Sequence, residues 1–294
     1  MLEKLQASGY RFTRPLAQRA FYIETPPSTK SIKAVILDTE TTGTNFLEDK
    51  IIELGMVAFD YCPDSGNIGQ VLGTFNQLDD PGIAIPPEST KIHHITDEMV
   101  SGKKINENEV EAFLDDVALI IAHNANFDRR FVETRFPIFS TKAWACSWAQ
   151  IPWGDEGLGS GKLEFLAYKS GFHYEGHRAS IDCLALLEVL HSAAFESGRK
   201  PLQLLLQRAR ANEIKVTALK SPFDTKEQLK ARRYQWNSEM KSWAITVLQA
   251  ELLNEIEWLK KNIYNNNSFS IKTEKINAYN RFSTRLGEIE LMAC

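Results

Sequence analysis

The sequence predicts an α/β protein in which a mixed sheet is covered by helices on both faces and is followed by a smaller α+β module. Three apolar runs near residues 33–38, 51–60 and 71–77 have the character of strands and predict an antiparallel meander. A fourth apolar run at 118–122 and the helical patterns between the strands complete the sheet and its helical layers. At 294 residues, the chain is long enough for two units with separate cores.

The chain divides into four parts at changes in composition. The first is a leader with aromatic residues and a Pro-rich linker at 25–28, and we interpret it as packing on the outside of the next part rather than as a free tail. Pro201 marks the end of the second part. The four parts are a leader at 1–30, an α/β domain at 31–200, a small basic α+β module at 201–264 and a polar tail at 265–294.

Two acidic residues lie at the end of the first predicted strand, within residues 34–43. Because side chains alternate along a strand, Asp38 and Glu40 leave from the same face. Two neighbouring carboxylates at the end of a buried strand repel each other and are costly to desolvate, and a divalent cation removes that cost. Hard oxygen ligands suit Mg²⁺ or Mn²⁺. The pair therefore indicates a metal site, with two solvated acids at a strand end as the alternative.

Two further acids follow apolar or helical segments. The arrangement of strand, polar turn and acid recurs at residues 120–128, where Asp128 lies at the start of a helical pattern. Asp182 lies in the first turns of a strongly apolar helix, five residues after His177. Five residues of helix turn through about 500°, so the two side chains meet if His177 lies on the loop before the helix and Asp182 one turn inside it. An acid in such an apolar helix indicates a cation that holds it.

These residues occur in the order of the three motifs of the DEDDh exonuclease family, which includes the proofreading subunit of bacterial DNA polymerase III. The chain resembles that family over roughly residues 31–198, and the segments at 50–55, 92–96 and 123–128 match its local patterns. The resemblance implies a ribonuclease H-like fold with a five-stranded sheet. It also implies a 3′→5′ exonuclease with His177 as general base and two Mg²⁺ or Mn²⁺ ions held by Asp38, Glu40, Asp128 and Asp182.

The resemblance also implies how a 3′ end is held. The backbone around Thr41 and the turn at His93 and His94 would wedge the terminal nucleotide, and Asn124 would steady the segment beside the second motif. His94 stands where glycine is common in the family, which puts that turn in question. For Thr41 and Asn124 the alternative is turn formation through their own backbone hydrogen bonds, and for the two histidines it is a structural role.

The implied substrate is single-stranded nucleic acid or a 3′ overhang, and the products are nucleoside monophosphates. DNA is favoured because the Asp-Thr-Glu-Thr-Thr-Gly segment at 38–43 resembles the proofreading branch of the family. RNA trimming is one alternative, because a single contact to a 2′-hydroxyl decides between DNA and RNA. A second is a non-catalytic nucleic-acid-binding or recruitment protein built on a nuclease scaffold. A polymerase or repair partner is compatible with the sequence.

The net charge of −4 is unevenly distributed. Residues 201–264 contain 11 Lys and Arg against 7 Asp and Glu, a net charge of +4, so the remainder carries −8. A basic module is suited to contact with a phosphate backbone. Its cations alternate with aromatic residues, a composition that favours phosphate contact and base stacking, with a small core filled by the tryptophans as the alternative. The predicted accessory residues for nucleic-acid binding are Lys230, Arg232, Arg233 and Trp236.

The apolar runs and the cysteines bear on the cellular compartment of the protein. No apolar run approaches the roughly 18 residues that a membrane helix needs, and the first residues lack the apolar region of a signal peptide. The four cysteines are scattered without a Cys-x-x-Cys pair, which indicates reduced thiols. We therefore expect a cytoplasmic protein with no membrane partner.

Overall fold

A computed structural model describes residues 2–22, 31–193 and 195–294 of the chain. The linker predicted at 25–28 lies outside these residues. The chain splits into two compact units, Met1–Ala209 and Arg210–Cys294. Across the described ranges, each helix is too short or too polar to cross a membrane.

The first unit contains the predicted α/β domain. In chain order its elements are α1 (Leu2–Ala7), β1 (Arg14–Pro15), β2 (Ile32–Thr41), β3 (Ile51–Tyr61), β4 (Ile68–Leu78), α2 (Pro87–His93), α3 (Asp97–Val100), α4 (Glu107–Phe113), β5 (Leu119–Ala122), α5 (Ala125–Arg135), a 3₁₀ segment (Pro137–Thr141), β6 (Trp144–Cys146), α6 (Ser147–Gln150), α7 (Leu163–Lys169), β7 (Phe172–His173), α8 (Ala179–Ser192) and α9 (Pro201–Arg210).

The main sheet has the strand order β4-β3-β2-β5-β6. Strands β2, β3 and β4 form an antiparallel meander, β5 runs parallel to β2, and β6 runs parallel to β5. Strand β3 is buried along almost its whole length, as a strand covered on both faces must be. The predicted mixed five-stranded sheet with helices on both faces is therefore confirmed.

Helix α8 approaches the sheet closely at Gly55. A Cβ at this position would clash with the backbone of Ala179 and Ser180, so only glycine fits there. Gly55 is also the residue that β3 places opposite Asp38 of β2. This contact therefore brings the first turn of α8 next to the acidic end of the central strand.

The described part of the leader packs on the first unit, as the sequence interpretation favoured. Strand β1 pairs in parallel with β7, and Phe21 forms an antiparallel bridge with Gln70 of β4. Arg14 and Arg19 also form ion pairs with Glu188, a fully buried acid on α8, at 2.5 and 3.1 Å. A buried carboxylate needs such partners, so these contacts fix the leader to α8.

The second unit is a small antiparallel sheet with two helices. Its elements are β8 (Glu213–Ala218), a 3₁₀ turn (Phe223–Thr225), α10 (Lys226–Ala231), β9 (Gln235–Asn237), β10 (Ser242–Leu248), a second 3₁₀ turn (Gln249–Glu251), α11 (Leu252–Asn262), β11 (Ser270–Ile276) and β12 (Ile289–Ala293). The strand order is β12-β11-β8-β10-β9. Without β12 this is the β-α-β-β-α-β arrangement of ferredoxin-like folds. Val216, Leu229, Leu259 and Ile271 are fully buried in its core.

Two parts of the predicted organisation are wrong. Residues 265–294 are not a polar tail, because β11 pairs with β8 and β12 pairs with β11. The pattern of β11 is mostly polar, and Ile271 supplies its fully buried apolar contact. The predicted boundary at Pro201 is also wrong, because proline begins helix α9 there, as it can at a first helical position. Leu202 and Leu205 of α9 are fully buried in the core of the first unit.

Candidate active site

The site begins at the end of strand β2. Asp38 and Glu40 leave the same face of this strand, and a β-bulge follows directly after Glu40. Glu40 is 9% exposed. Carboxylate oxygens of Asp38, Glu40 and Asp182 of α8 all lie within 4.8 Å of one another. Three hard oxygen donors at this spacing can ligate one divalent cation.

Asp128 lies in the first turn of α5 and is also buried. Its Oδ1 accepts two hydrogen bonds from Thr39 of β2, one from the backbone N–H at 3.0 Å and one from the hydroxyl at 2.9 Å. Thr39 lies between Asp38 and Glu40, so the strand that carries two of the acids also holds the third. The turn from β5 into α5 therefore delivers Asp128 to the acidic cluster.

The third motif has the predicted geometry. Helix α8 begins at Ala179, so Asp182 lies one turn inside it and His177 lies on the preceding loop. The Oδ2 of Asp182 accepts the backbone N–H of Arg178 at 3.1 Å. His177 has a φ of 63°, and its side chain is 55% exposed. Its Nε2 is 4.0 Å from Glu164.

The loop that carries His177 is held by Glu53, whose role the sequence did not reveal. This fully buried glutamate of β3 accepts hydrogen bonds from the guanidinium of Arg178 (2.8 Å to Nη2) and from the backbone N–H of Ala179 (3.1 Å). Asn76 of β4 donates a third, at 3.0 Å. Glu53 thus fixes the entry of α8 from the neighbouring strand. The signal in the sequence was a charged residue inside the apolar run of β3.

The acids of the cluster are hard to ionise together. Burial, followed by repulsion from Asp128, Asp182 and Glu40, holds the pKa of Asp38 well above its usual value. Burial and the neighbouring acids raise the pKa of Glu40 to about 8. Burial raises the pKa of Asp128 to about 7, and it also raises the pKa of Asp182. A bound cation would reverse these shifts, because it stabilises the ionised form.

A cleft of about 210 Å³ opens onto the cluster. Of the residues that line it, His123 has a structural role, because its two ring nitrogens contact Ser147 Oγ and the carbonyl of Gly161, each at 2.8 Å. Burial lowers the pKa of His123 to about 4, so the ring is neutral. The lining residues are Asp38, Thr39, Glu40, His123, Asn124, Phe127, Asp128, Leu163, His177 and Asp182.

The predicted substrate residues lie at different distances from this cleft. Asn124 is exposed, lines the cleft and forms no side-chain cap on α5. Thr41 is buried, and its hydroxyl donates to the carbonyl of Gly43 at 2.5 Å, which is the turn-forming role. His94 adopts the left-handed conformation, with a φ of 59°, and ends α2 by donating its N–H to Thr90. The turn therefore forms without glycine.

His93 is buried, and it is the last residue of α2. Its Nδ1 accepts the backbone N–H of Ile95 at 3.0 Å, so the ring proton is on Nε2. Burial lowers the pKa of His93 and keeps the ring neutral. Within the described ranges no group meets full hydrogen-bond geometry at Nε2, but an interaction of the ring with the backbone of Thr41 partly opposes the lowering of its pKa. His93 therefore holds the turn and links it to the end of β2.

The four predicted accessory residues lie in the second unit. Arg232 is exposed, but its guanidinium is engaged, because it pairs with the buried Glu255 at 2.9 Å and covers the ring of Trp258. Lys230 is exposed and pairs with Glu227 at 3.0 Å. Arg233 and Trp236 are exposed. A small core filled by both tryptophans is therefore excluded for Trp236.

Comparisons with known proteins agree with this geometry. A sequence model of the family described as Exonuclease (RNase_T) matches residues 35–190. The epsilon subunit of DNA polymerase III from Treponema pallidum is 33% identical over 161 residues, which cover 52% of this chain and 72% of the subunit. A PolC-type DNA polymerase III from Thermotoga maritima is 40% identical over 101 residues, which are 33% of this chain but 7% of the polymerase.

Among solved structures, a zinc-bound complex of E. coli ExoI with single-stranded DNA has a similar fold. The TM-score is 0.51 at 15% sequence identity, and the match covers 80% of this chain and 68% of the ExoI chain. At this identity the similarity concerns the fold. It supports the α/β architecture deduced from the strand order.

Proposed function

The chain belongs to the exonuclease family, and we propose that it removes nucleoside monophosphates in the 3′→5′ direction from single-stranded DNA or 3′ overhangs. Hydrolysis of phosphodiester bonds is the chemistry of the family. The single observation that carries the proposed reaction is the convergence of four acids from β2, α5 and α8 on one small cleft. Four carboxylates that are buried or partly buried side by side repel one another and are costly to desolvate, and bound cations would offset that cost.

The acids fit divalent cations. We assign Asp38, Glu40, Asp128 and Asp182 as the residues that hold two Mg²⁺ or Mn²⁺ ions, because all four offer hard oxygen donors and burial raises the pKa of each, a cost that bound cations would offset. When bound, the ions supply Lewis acidity toward the scissile phosphate and stabilise the charge that develops in the reaction.

His177 is the residue we assign as general base. Its imidazole is exposed at the mouth of the cleft, so it can accept a proton from the attacking water. Its left-handed backbone costs about 1 kcal/mol, and Glu53 and Arg178 hold the loop that bears this strain. His123 does not compete for this role, because both of its nitrogens are engaged.

For substrate placement, the structure supports Asn124 most directly, because its amide borders the cleft and makes no capping bond. We propose that the backbone beside Thr41, with the turn that His93 and His94 form next to it, contacts the terminal nucleotide. DNA is the proposed substrate because relatives of this chain are DNA polymerase subunits and the ExoI complex holds single-stranded DNA. A polymerase is accordingly the class of partner we propose.

The test uses the full chain and a 5′-labelled single strand with Mg²⁺ or Mn²⁺. We expect a ladder of products shortened from the 3′ end and no cleavage in EDTA. Asp38→Ala should abolish cleavage, and His177→Ala should reduce it by a factor of 10² or more. Asp64→Ala, which removes an exposed acid in the same unit, is the matched control and should cleave like wild type.

Two results would contradict the proposal. Full cleavage by the Asp38→Ala protein would exclude the acidic cluster as the active site. Metal binding without any hydrolysis of DNA or RNA would instead favour a binding protein on a nuclease scaffold. Matched DNA and RNA strands, compared in the same assay, decide the sugar preference, because a single 2′-hydroxyl contact separates the two.

A further inference from the structure

The hairpin of β9 and β10 presents an exposed indole. Trp236 of β9 pairs in register with Trp243 of β10, and the two rings meet edge to face with centroids 5.4 Å apart. Trp243 packs against the core of the second unit, whereas Trp236 remains 52% exposed. Trp236 is therefore a large, exposed apolar ring that contacts a partly buried neighbour on the next strand.

Three cations lie within a few residues of this hairpin or of the adjacent strand β8, at positions of unfavourable backbone geometry. Ala218 at the end of β8 pairs with Trp243 near the start of β10. Lys220 follows Ala218 by two residues and Lys241 precedes Trp243 by two, so both lysines lie at the same end of these two adjacent strands. Lys220 has a φ of 53° and Lys241 a φ of 45°. Arg233, two residues before β9, has a φ of 71°. Glycine occupies such positions without strain, whereas other residues pay about 1 kcal/mol each.

These three side chains are also free of the ion pairs that hold other cations of the unit. All three are exposed, and in the described part of the chain no carboxylate lies within 4.0 Å of Lys220, Arg233 or Lys241. Arg232, one residue away, differs because it is paired with Glu255. The turn between the two strands carries one acid, Glu239, so the cations still dominate the local charge.

We propose that Trp236, Lys220, Arg233 and Lys241 form a binding surface for single-stranded nucleic acid, in which the cations contact phosphates and a base stacks on Trp236. This inference rests on the proposed function, because the strand it binds is the substrate of the first unit. Aromatic stacking and phosphate contact together give binding that is strong, sequence-tolerant and sensitive to salt. The surface retains the predicted Arg233 and Trp236 and replaces Arg232 and Lys230 by Lys220 and Lys241.

The open face of the sheet is a weaker candidate. Nucleic-acid-binding domains with this strand order stack bases on aromatic residues of the two central strands. In the second unit the central strands are β8 and β10, and on the face opposite Val216 they carry Lys215, Thr217, Ala244 and Thr246. This face therefore offers no ring for stacking, which leaves the edge at Trp236.

Substitution by glycine at these positions distinguishes the loss of a positive charge from the loss of stability. Lys220→Gly and Lys241→Gly remove a cation and relieve left-handed strain, so each variant should melt at the same or a higher temperature than wild type while it binds DNA more weakly. Asn265→Gly and Asn266→Gly relieve strain at uncharged positions of the same unit, with φ of 50° and 62°, and should bind like wild type. Binding to fluorescent dT₂₀ is measured in EDTA with the full chain, over a range of salt concentrations.

We expect each lysine variant to weaken binding about fivefold at 0.1 M salt and to lower the slope of log Kd against log salt by about 0.7. Trp236→Ala should weaken binding about tenfold, and Trp236→Phe should restore most of the loss. Unchanged affinity and salt slope in the Lys220→Gly/Lys241→Gly double variant would overturn the inference and favour a protein partner for this surface. Because EDTA prevents hydrolysis, failure here is distinct from loss of the proposed activity.

A second inference concerns Tyr174, which follows β7 directly. Its hydroxyl donates to Oδ1 of Asp182 at 3.0 Å, and the backbone N–H of Arg178 donates to Oδ2 of the same carboxylate. Both oxygens are therefore oriented by the protein and keep lone pairs for a cation. Tyr174 directly follows β7, which pairs with the leader strand β1. We infer that Tyr174 is a positioning residue that sets the affinity of Asp182 for a divalent cation.

The measurement is Mn²⁺ binding by calorimetry to the full chain without nucleic acid. Tyr174→Phe should weaken binding about tenfold, the lower end of the effect of removing an outer partner of a metal ligand. Tyr234→Phe is the matched control, because it removes the same type of bond, a 2.9 Å tyrosine donation to the buried Glu255, in the second unit. Wild-type Mn²⁺ affinity in Tyr174→Phe would overturn the inference, whatever its effect on melting temperature.

Discussion

Two buried glutamates on neighbouring strands should respond to neutralisation with opposite signs. Glu40 of β2 and Glu53 of β3 are paired in register, yet their surroundings differ. Burial and the acidic cluster raise the pKa of Glu40 to about 8. Burial also acts to raise the pKa of Glu53, but hydrogen bonds from Arg178, Asn76 and Ala179 outweigh it and lower that pKa. We predict that Glu40→Gln stabilises the metal-free protein and that Glu53→Gln destabilises it.

The magnitude for Glu40 follows from linkage. A raised pKa in the folded protein means that the folded state keeps a proton which the unfolded chain loses near pH 4.5. This contribution to stability is fully present below pH 4.5 and is lost as the pH rises to about 8. Since each pKa unit is worth about 1.4 kcal/mol, wild type should lose about 3 kcal/mol by pH 7, whereas Glu40→Gln loses none of it.

The sign reverses for Glu53. Its lowered pKa gives stability that is present above the unfolded pKa and is lost as the pH falls through the folded pKa. Glu53→Gln leaves the partly exposed Arg178 without its buried partner, which should cost about 2 kcal/mol at pH 7. This cost should shrink in acid, where wild type also loses the charge on Glu53.

The assay is calorimetry of the full chain in EDTA at pH 5 and pH 8.5. The unfolding transition of the first unit is identified in a separate scan as the one that Mg²⁺ shifts. A change of 3 kcal/mol in a unit of this size corresponds to about 8 °C. For each variant, the free energy of unfolding relative to wild type is compared between pH 5 and pH 8.5. The cost of burying the amide does not depend on pH, so it cancels in this comparison. If neither Glu40→Gln nor Asp38→Asn gains stability relative to wild type across this range, the electrostatic reasoning is refuted.

Three further outcomes follow from the same contacts. Mg²⁺ affinity, measured by calorimetry, should rise from pH 6 to pH 8, because Glu40 must lose a proton to bind; a flat profile would contradict its raised pKa. Gly55→Ala should cost more than 3 kcal/mol in denaturant unfolding, because its Cβ would clash with the backbone of α8, and wild-type stability would refute that contact. Glu188→Gln should make the leader sensitive to limited proteolysis, because Arg14 and Arg19 lose their buried anchor; unchanged cleavage would show that β1 alone holds it.

Local patterns in the sequence were sufficient to predict how the acids of the site are placed on their strand and helix. The alternation of a strand placed Asp38 and Glu40 on one face, and helical geometry placed His177 before α8 and Asp182 inside it. These relations span a few residues, so they need no knowledge of the tertiary fold. The close packing at Gly55 then supplies what the sequence left open, the meeting of α8 with β2.

Contacts between distant residues could not be deduced in the same way. Glu53 and Arg178 are 125 residues apart, and the sequence shows two charged residues without indicating that they pair. Arg232 was predicted to contact nucleic acid from its neighbours in sequence, whereas its partner Glu255 comes from another helix. Strand β11 was missed because its mostly polar residues gain burial from β8, which precedes it by about 50 residues. Strand β12 was missed because it pairs with β11 while its own residues remain largely exposed.

The four acids divide into two kinds. Asp128 and Asp182 accept hydrogen bonds from Thr39, Tyr174 and Arg178, which orient their oxygens before any cation arrives. Asp38 and Glu40 have no such donors among the described residues, so burial and repulsion between acids raise both pKa values, and the charge of Arg178 offsets this only in part at Glu40. The two helices thus supply carboxylates with fixed orientation, while the central strand supplies carboxylates whose ionised form a cation would stabilise. Cations held by these acids would find the oxygens of the first pair already oriented and would offset the repulsion at the second pair.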